Sequence, residues 1–404
     1  MRGQGPEVLA VIAALVALGV AGAGAPDAVE QFVARHWRMP LAFQGPPPAG
    51  YAPLERSLAP EACGTCHPAQ LADWRTSLHA AAMGPGVAGQ LVELLRDDPA
   101  QALGCQTCHA PLAEQRPLAR VEGAWAVNPH FEPDLQTRGI VCAGCHVRGH
   151  ERFGPPRRDG TLASAAPRST LAHGGVTRTP AFERSEFCRG CHQFDPSGLA
   201  VNGKLVQDTY EEWRASRFAR EGVHCQDCHM PDRRHLWRGI HDPEMVRGGL
   251  TITAETGAPR YAPGDVVAAT LTVTSTGVGH AFPTYVTPRA ILRGELLDAG
   301  GRVVAGSREE VVIGREVSLD LERELFDTRL APGESVTLHY RRRLDAAGLR
   351  LRLSVVIEPN AFYTRFFAAL LAQGAGRGTP QIRDALAATR RSPFVVFVRE
   401  VPLG

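Results

Sequence analysis

Lysine is almost missing from this chain. Among the 44 lysines and arginines of its 404 residues, Lys204 is the only lysine. The arginines are dispersed, the formal net charge is +2, and no basic tract is present, so nothing points to nucleic acid as a partner. Arginine suits bidentate pairing with carboxylates, although a solvated surface is the plainer use of most of them. Long apolar runs are scarce as well. One run, residues 8–21, follows Arg2 and leads into the small residues of "AGAGAP". It is short for a bilayer span, which takes about 20 residues, and it reads as an export signal. Residues 1–25 are therefore expected to be a signal peptide or, left uncleaved, an N-terminal anchor that attaches the protein to a membrane. No other stretch is apolar for long enough to cross a bilayer. The third absence is a cysteine standing alone.

All ten cysteines fall in five Cys-x-x-Cys-His units. These are Cys63, Cys66 and His67; Cys105, Cys108 and His109; Cys142, Cys145 and His146; Cys188, Cys191 and His192; and Cys225, Cys228 and His229. This is the attachment signature of c-type haem. Two thiols three positions apart reach the two vinyl groups of one porphyrin, and the histidine that follows is carried onto the ring face to ligate iron. Zinc sites also use Cys-x-x-Cys, but they pair two such units, and five is an odd number. A disulfide framework would not put histidine after every pair. The expectation is five covalently bound haem c groups.

The five units begin at intervals of 42, 37, 46 and 37 residues. That leaves room for one or two short helices per haem, so the haems themselves are expected to form the packed interior. Each iron needs a sixth ligand, or an open face if it is a catalyst. Ten histidines remain outside the motifs: His36, His79, His130, His150, His173, His224, His235, His241, His280 and His339. Met83 and Met230 are the alternative soft ligands. His79 lies in a segment of helical character after the first motif, and His235 and His241 lie just after the fifth. "DWRTS" at 73–77 echoes "EWRAS" at 212–216. The second copy is expected on a helix capped by Asp208, with Glu211 completing a capping box and Gly222 ending it.

The segments "IVCAGCHVRG", "FCRGCHQF", "DTYEEW", "GVHCQDCHMP", "HLWRGIHD" and "GHAFPT" together resemble multihaem cytochromes of the cytochrome c-554 type, from about residue 62 to 284. That superfamily includes electron carriers, hydroxylamine oxidoreductase and multihaem reductases. The resemblance implies distal ligands at His79, His173, His235, His241 and His280, without saying which serves which haem. His130, His150 and His224 are second choices.

After residue 245 the character changes. Alternating, β-branched runs separated by Gly, Pro or Asp predict an antiparallel β-sandwich of immunoglobulin-like type, with a small barrel as the alternative. The expected organisation is a mainly helical and irregular pentahaem domain over 26–245 and a sandwich over 246–404, with a helical insertion near 360–391. The sandwich is expected to cap the haem domain. If His280 ligates iron, it also ties the two together; otherwise His280 belongs to a surface loop.

The expected function is electron transfer between respiratory partners through closely packed, mostly bis-histidine haems. The site would be periplasmic or at the cell surface. The partners would be other redox proteins: a quinol-oxidising membrane cytochrome, and a terminal reductase or extracellular acceptor. Two alternatives stay open. One is an oxidoreductase acting on a small nitrogen or sulfur compound at one open haem; the other is a subunit of an extracellular electron conduit. Neither a Cys-x-x-Cys-Lys motif nor an extra cysteine is present, which excludes particular reductases and sulfur enzymes but not catalysis in general.

Overall fold

Each attachment motif sits on a short helix. Helices Pro99–His109, Cys142–His146, Glu186–His192 and Cys225–His229 end on their motif histidine. The first motif begins on Pro60–Gly64 and closes in the next turn, where the His67 amide donates to the Cys63 carbonyl. Residues three apart on a helix share a face, so each pair of thiols points one way. Proline opens two of these helices, where its missing N–H costs nothing. A computed structural model describes residues 27–164, 166–258 and 260–403. The expected export signal lies outside these residues. Among the described residues, no helix is long and apolar enough to cross a membrane.

Helix Thr209–Ala215 forms where the capping pattern predicts, and Asp208 occupies its N-cap position. The Asp208 side chain does not cap, however. It accepts from Gln193 Nε2 at 2.7 Å instead, because a competing amide reaches it first. The helix stops at Ser216, a second short helix covers Arg217–Arg220, and Gly222 follows at φ +72°.

From 27 to 249 the buried apolar residues form small separate clusters, such as Leu41, Leu112, Leu135 and Val141 beside the third motif and Val29, Val33, Ala181 and Phe187 beside the fourth. Beyond helix Pro243–Gly249 the strands share one continuous core. Eight strands follow: β1 (Leu250–Thr256), β2 (Val266–Ser275), β3 (Arg289–Leu297), β4 (Glu309–Val317), β5 (Glu324–Asp327), β6 (Ser335–Arg343), β7 (Leu349–Glu358) and β8 (Phe394–Leu403). They make two antiparallel sheets, ordered β6-β2-β1 and β5-β4-β3-β7-β8. Burial alternates along β2, as a half-buried strand requires. Leu271, Val273 and Tyr340 of one sheet and Leu292, Leu351 and Leu353 of the other meet in a single apolar cluster.

Between β7 and β8 the chain leaves the sheets as helices Ala361–Gln373 and Thr379–Arg390. The second packs on helix Pro85–Asp97, which leads into the second motif, and Phe367 of the first lies against Gly86. The approach is close enough to demand glycine. A Cβ on Gly378 would sit 2.1 Å from the Gly89 carbonyl oxygen, and backbone cannot swing aside as a side chain can. Gly378→Ala is expected to cost about 1–3 kcal/mol, the range for overpacking. Thermal unfolding would register this as a lowered midpoint, and an unchanged midpoint would mean that the helices simply part.

Candidate haem sites

The motif histidines are oriented by their inner ring nitrogens. His109 Nδ1 lies 2.7 Å from the Ala82 carbonyl, His146 Nδ1 2.8 Å from that of Phe153, and His229 Nδ1 2.6 Å from that of Arg238. A carbonyl only accepts, so each Nδ1 carries the proton and each Nε2 keeps its lone pair. This is the arrangement expected of a metal-ligating imidazole. His192 differs, since its Nδ1 lies 2.8 Å from the Tyr285 hydroxyl. His235, His280 and His173, outside the motifs, also have Nδ1 against carbonyls, those of Arg233, Ala281 and Gly175.

Three of these rings face a second imidazole. The ring centres of His79 and His192 are 6.3 Å apart, those of His146 and His235 6.2 Å, and those of His229 and His280 6.3 Å. A metal–imidazole bond is about 2 Å and a ring centre lies about 1.1 Å behind its nitrogen, so two imidazoles that shared one metal from opposite sides would have centres about 6.3 Å apart. The spacing of the ring centres therefore fits an iron between each pair. Burial lowers the His79 pKa to about 3, helped by His192 and His229, and that of His192 to about 4, helped by His229 and His280. His146 is held near 4, also chiefly by burial. Imidazoles this hard to protonate are neutral at physiological pH, the form that binds metal.

Trp237, at φ +43°, has its ring centre 4.6 Å from that of His79 and 5.2 Å from that of His235. It thus braces two of these imidazoles at once. No sequence pattern marks it beyond its place between His235 and His241. The echoed tryptophans do have a matching task. Trp74 donates its indole N–H to Ile140 at 2.8 Å and Trp213 donates to Val223 at 2.9 Å. In each case the acceptor carbonyl lies two residues before a motif's first cysteine.

The motifs also touch one another. The thiols of Cys63 and Cys142, of Cys108 and Cys191, and of Cys188 and Cys225 lie close enough to shift one another's pKa values. Cys145 lies close enough to Cys188 and Cys191 to raise their pKa values. Arg148 is buried beside Cys145 and Cys191, and burial lowers its pKa to about 10. One of its guanidinium nitrogens, Nη2, has no partner. A buried cation with a spare N–H suits an anionic porphyrin substituent. Ten paired thiols, imidazoles at trans-ligand spacing and this guanidinium make a donor set that fits haem c.

His173 and His241 are placed differently. Among the described residues, neither ring faces a second imidazole at this spacing. His173, at φ +44°, receives the Tyr51 hydroxyl on its carbonyl and gives its amide to Glu55. His241 is exposed, with Nε2 3.3 Å from Asn360 Oδ1, and lines a cavity of about 190 Å³ with Thr76, Trp237 and Asp242. Two other buried histidines use the outer nitrogen structurally. His36 Nε2 bonds the Cys145 carbonyl at 2.8 Å, and His150 Nε2 that of Gly45 at 2.9 Å. His130 stacks on Phe43, and His224 Nδ1 lies 3.2 Å from Ser185 Oγ.

Residues 62–130 match the family model for cytochrome c554 and c-prime. Cytochrome c-554 of Nitrosomonas europaea is 26% identical over 137 residues, which is 32% of this chain and 54% of that protein. Cytochrome c-552 of Aliarcobacter butzleri is 29% identical over 140 residues, 32% of this chain and 27% of that protein. The match thus spans about half of one relative and about a quarter of the other. A penta-heme cytochrome c552 from Thermochromatium tepidum superposes with a TM-score of 0.61 over 87% of this chain and 100% of that one, at 18% identity. The chain is a multihaem c-type cytochrome. The shared architecture extends past the matched family segment, so the cytochrome carries its β-sheets as part of the common fold. The five attachment motifs and these matches support covalently bound haem c.

Proposed function

We propose that this cytochrome is an exported electron carrier with five haems, one per Cys-x-x-Cys-His motif, most or all of them held between two histidines. The observation that carries this reading is the set of three imidazole pairs 6.2–6.3 Å apart. His192 would share an iron with His79, His146 with His235, and His229 with His280. His67 and His109 remain for His173 and His241. Glu55, which holds His173, also offers its carbonyl to Arg152, a neighbour of Cys63 in the first motif. Asn360, which meets His241, stands at the start of the helix that brings Tyr363 close to Cys105 in the second.

Haem c supplies one-electron exchange between ferric and ferrous iron. The chain's part is to fix the spacing. Sulfur contacts join motif one to three, two to four and four to five, and Cys145 joins three to four. This supports a branched array in which every centre neighbours another, so that electrons enter and leave at exposed edges without a substrate pocket. Donor and acceptor would be other redox proteins, a quinol-oxidising membrane cytochrome on one side and a terminal reductase or extracellular acceptor on the other. The strand orders β6-β2-β1 and β5-β4-β3-β7-β8 support an immunoglobulin-like sandwich of variable type, serving as a clamp on the haem region. A catalytic reading keeps one specific support, the cavity beside His241.

Electron paramagnetic resonance and optical spectra of the ferric protein test this, with intact mass to count haems. Five attached haems, all low-spin and indifferent to nitrite and hydroxylamine, are expected. A high-spin signal that moves with either ligand would replace the carrier by an oxidoreductase with one open iron.

A further inference from the structure

Of the four motif histidines whose Nδ1 has a partner, three use a backbone carbonyl. His192 alone uses a side chain, the Tyr285 hydroxyl at 2.8 Å. Tyr285 lies five residues after His280, in the segment between β2 and β3. It reaches the haem region from the C-terminal part of the chain. Desolvation pushes its phenol up to about 12, so it is a neutral hydroxyl that both accepts and donates.

The hydroxyl is not free to turn. If His192 binds iron through Nε2, its Nδ1–H must donate, and the Tyr285 oxygen accepts. Thr209 lies beside the Tyr285 oxygen, close enough to act on its pKa, so with Nδ1–H donating the phenol O–H is left to point toward Thr209. Thr209 Oγ1 is 2.9 Å from Thr284 Oγ1, and the Thr284 hydroxyl donates to Glu212 Oε2 at 2.5 Å. Glu212 is anchored by Arg329 Nη1 at 2.8 Å and by the Ala281 amide at 3.2 Å. Because Thr284 donates to Glu212, Thr209 is left to donate to Thr284, and the order runs one way, toward the carboxylate. Hydrogen bonds in such a series polarise one another. A carboxylate can only accept at its end, so it sets the sense of the whole row. The row also crosses the molecule, since Thr209 and Glu212 share a helix of the haem region while Thr284, Tyr285 and Arg329 belong to the C-terminal part.

We propose that Tyr285 is a positioning residue that tunes the reduction potential of the centre held by His192, with Thr209, Thr284 and Glu212 fixing the direction of its hydroxyl. A partner that accepts from Nδ1–H makes the imidazole a more basic ligand. A more basic ligand favours ferric iron and lowers the potential. The inference rests on the proposed sharing of one iron by His192 and His79.

The test is a potentiometric titration of the fully loaded protein, followed by optical and paramagnetic resonance spectra. Tyr285→Phe is expected to keep every haem attached and low-spin while raising one midpoint potential. The expected size is about tenfold in the oxidation equilibrium, or about 59 mV for one electron. Thr209→Val, which breaks the row without altering charge, is expected to move the same midpoint the same way by less. The shifted centre is identified as the one whose low-spin signal is lost in His79→Gly. If Tyr285→Phe leaves all midpoints in place, or moves them all alike, the tuning role is overturned while the ligand assignment stands. If His79→Gly leaves every iron low-spin, the shared-iron reading itself fails. If Tyr285→Phe does not accumulate, Thr209→Val decides alone, and an unchanged set of midpoints in that variant overturns the proposal.

Discussion

Replacing His280 with glycine is expected to turn one low-spin iron into a high-spin one and to restore low spin when imidazole is added to the buffer. The ring of His280 stands 6.3 Å from that of His229, with the two planes within 10° of each other. It reaches this position from the segment between β2 and β3. The substitution removes a ligand without adding bulk, so free imidazole can enter the gap. The affected centre should also rise in potential, because ferric iron loses a basic donor. A second effect should accompany the first. His280 would be a coordinate link between the C-terminal sheets and the fifth motif, so its loss should lower the unfolding temperature of the sheets, and imidazole should not restore that loss. The measurements are paramagnetic resonance spectra with and without imidazole, and far-ultraviolet melting. An all-low-spin spectrum in His280→Gly would remove His280 from the ligand set.

The largest loss of stability away from the haems is expected at Arg315. Its side chain is 1% exposed and paired with Glu324 at 2.8 Å. The same guanidinium donates to the carbonyls of Leu205, Val201 and Lys204. It therefore fastens β4 to the hairpin that follows the fourth motif. Arg315→Met would keep most of the volume and orphan three carbonyls, while Glu324 keeps Lys204 at 2.8 Å. Breaking a buried pair of this kind costs about 3–5 kcal/mol. For sheets of this size that is roughly 10 °C in midpoint. Calorimetry of the loaded protein reads this directly, and a shift of under 2 °C, taken as about half a kcal/mol, would show that water takes over the three carbonyls.

The local parts of this protein could be read directly from the residues. Cysteine and histidine spacing marks five turns of helix, and alternation along "VVAATLTVTS" marks β2, because both depend on near neighbours only. The meeting of distant residues could not be read this way. His79 faces His192 and His146 faces His235 across long stretches of chain, and spacing says nothing about such encounters. Place after a motif and family resemblance both point to His79 and His235, and resemblance alone points to His280. The same signals point to His173 and His241, yet their rings sit elsewhere than opposite a second imidazole. Asp208 shows the limit in miniature. Its position at the helix start was legible, but the Gln193 amide that diverts its side chain came from another helix. Tyr285 and Trp237 carry no motif at all, because what matters about them is which ring they touch.

The sulfur contacts between motifs bear on how such a protein can be made. Cys63 and Cys142, Cys108 and Cys191, and Cys188 and Cys225 come from different attachment motifs, yet each pair lies close enough for the thiols to shift one another's pKa values. In an oxidising compartment, adjacent free thiols become disulfides. A chain that closed before its thioethers formed would bring together three wrong partnerships, each tying up two attachment points. In such a compartment the porphyrins would have to be joined while the polypeptide is still open, so that the final shape is reached by a chain already carrying its cargo.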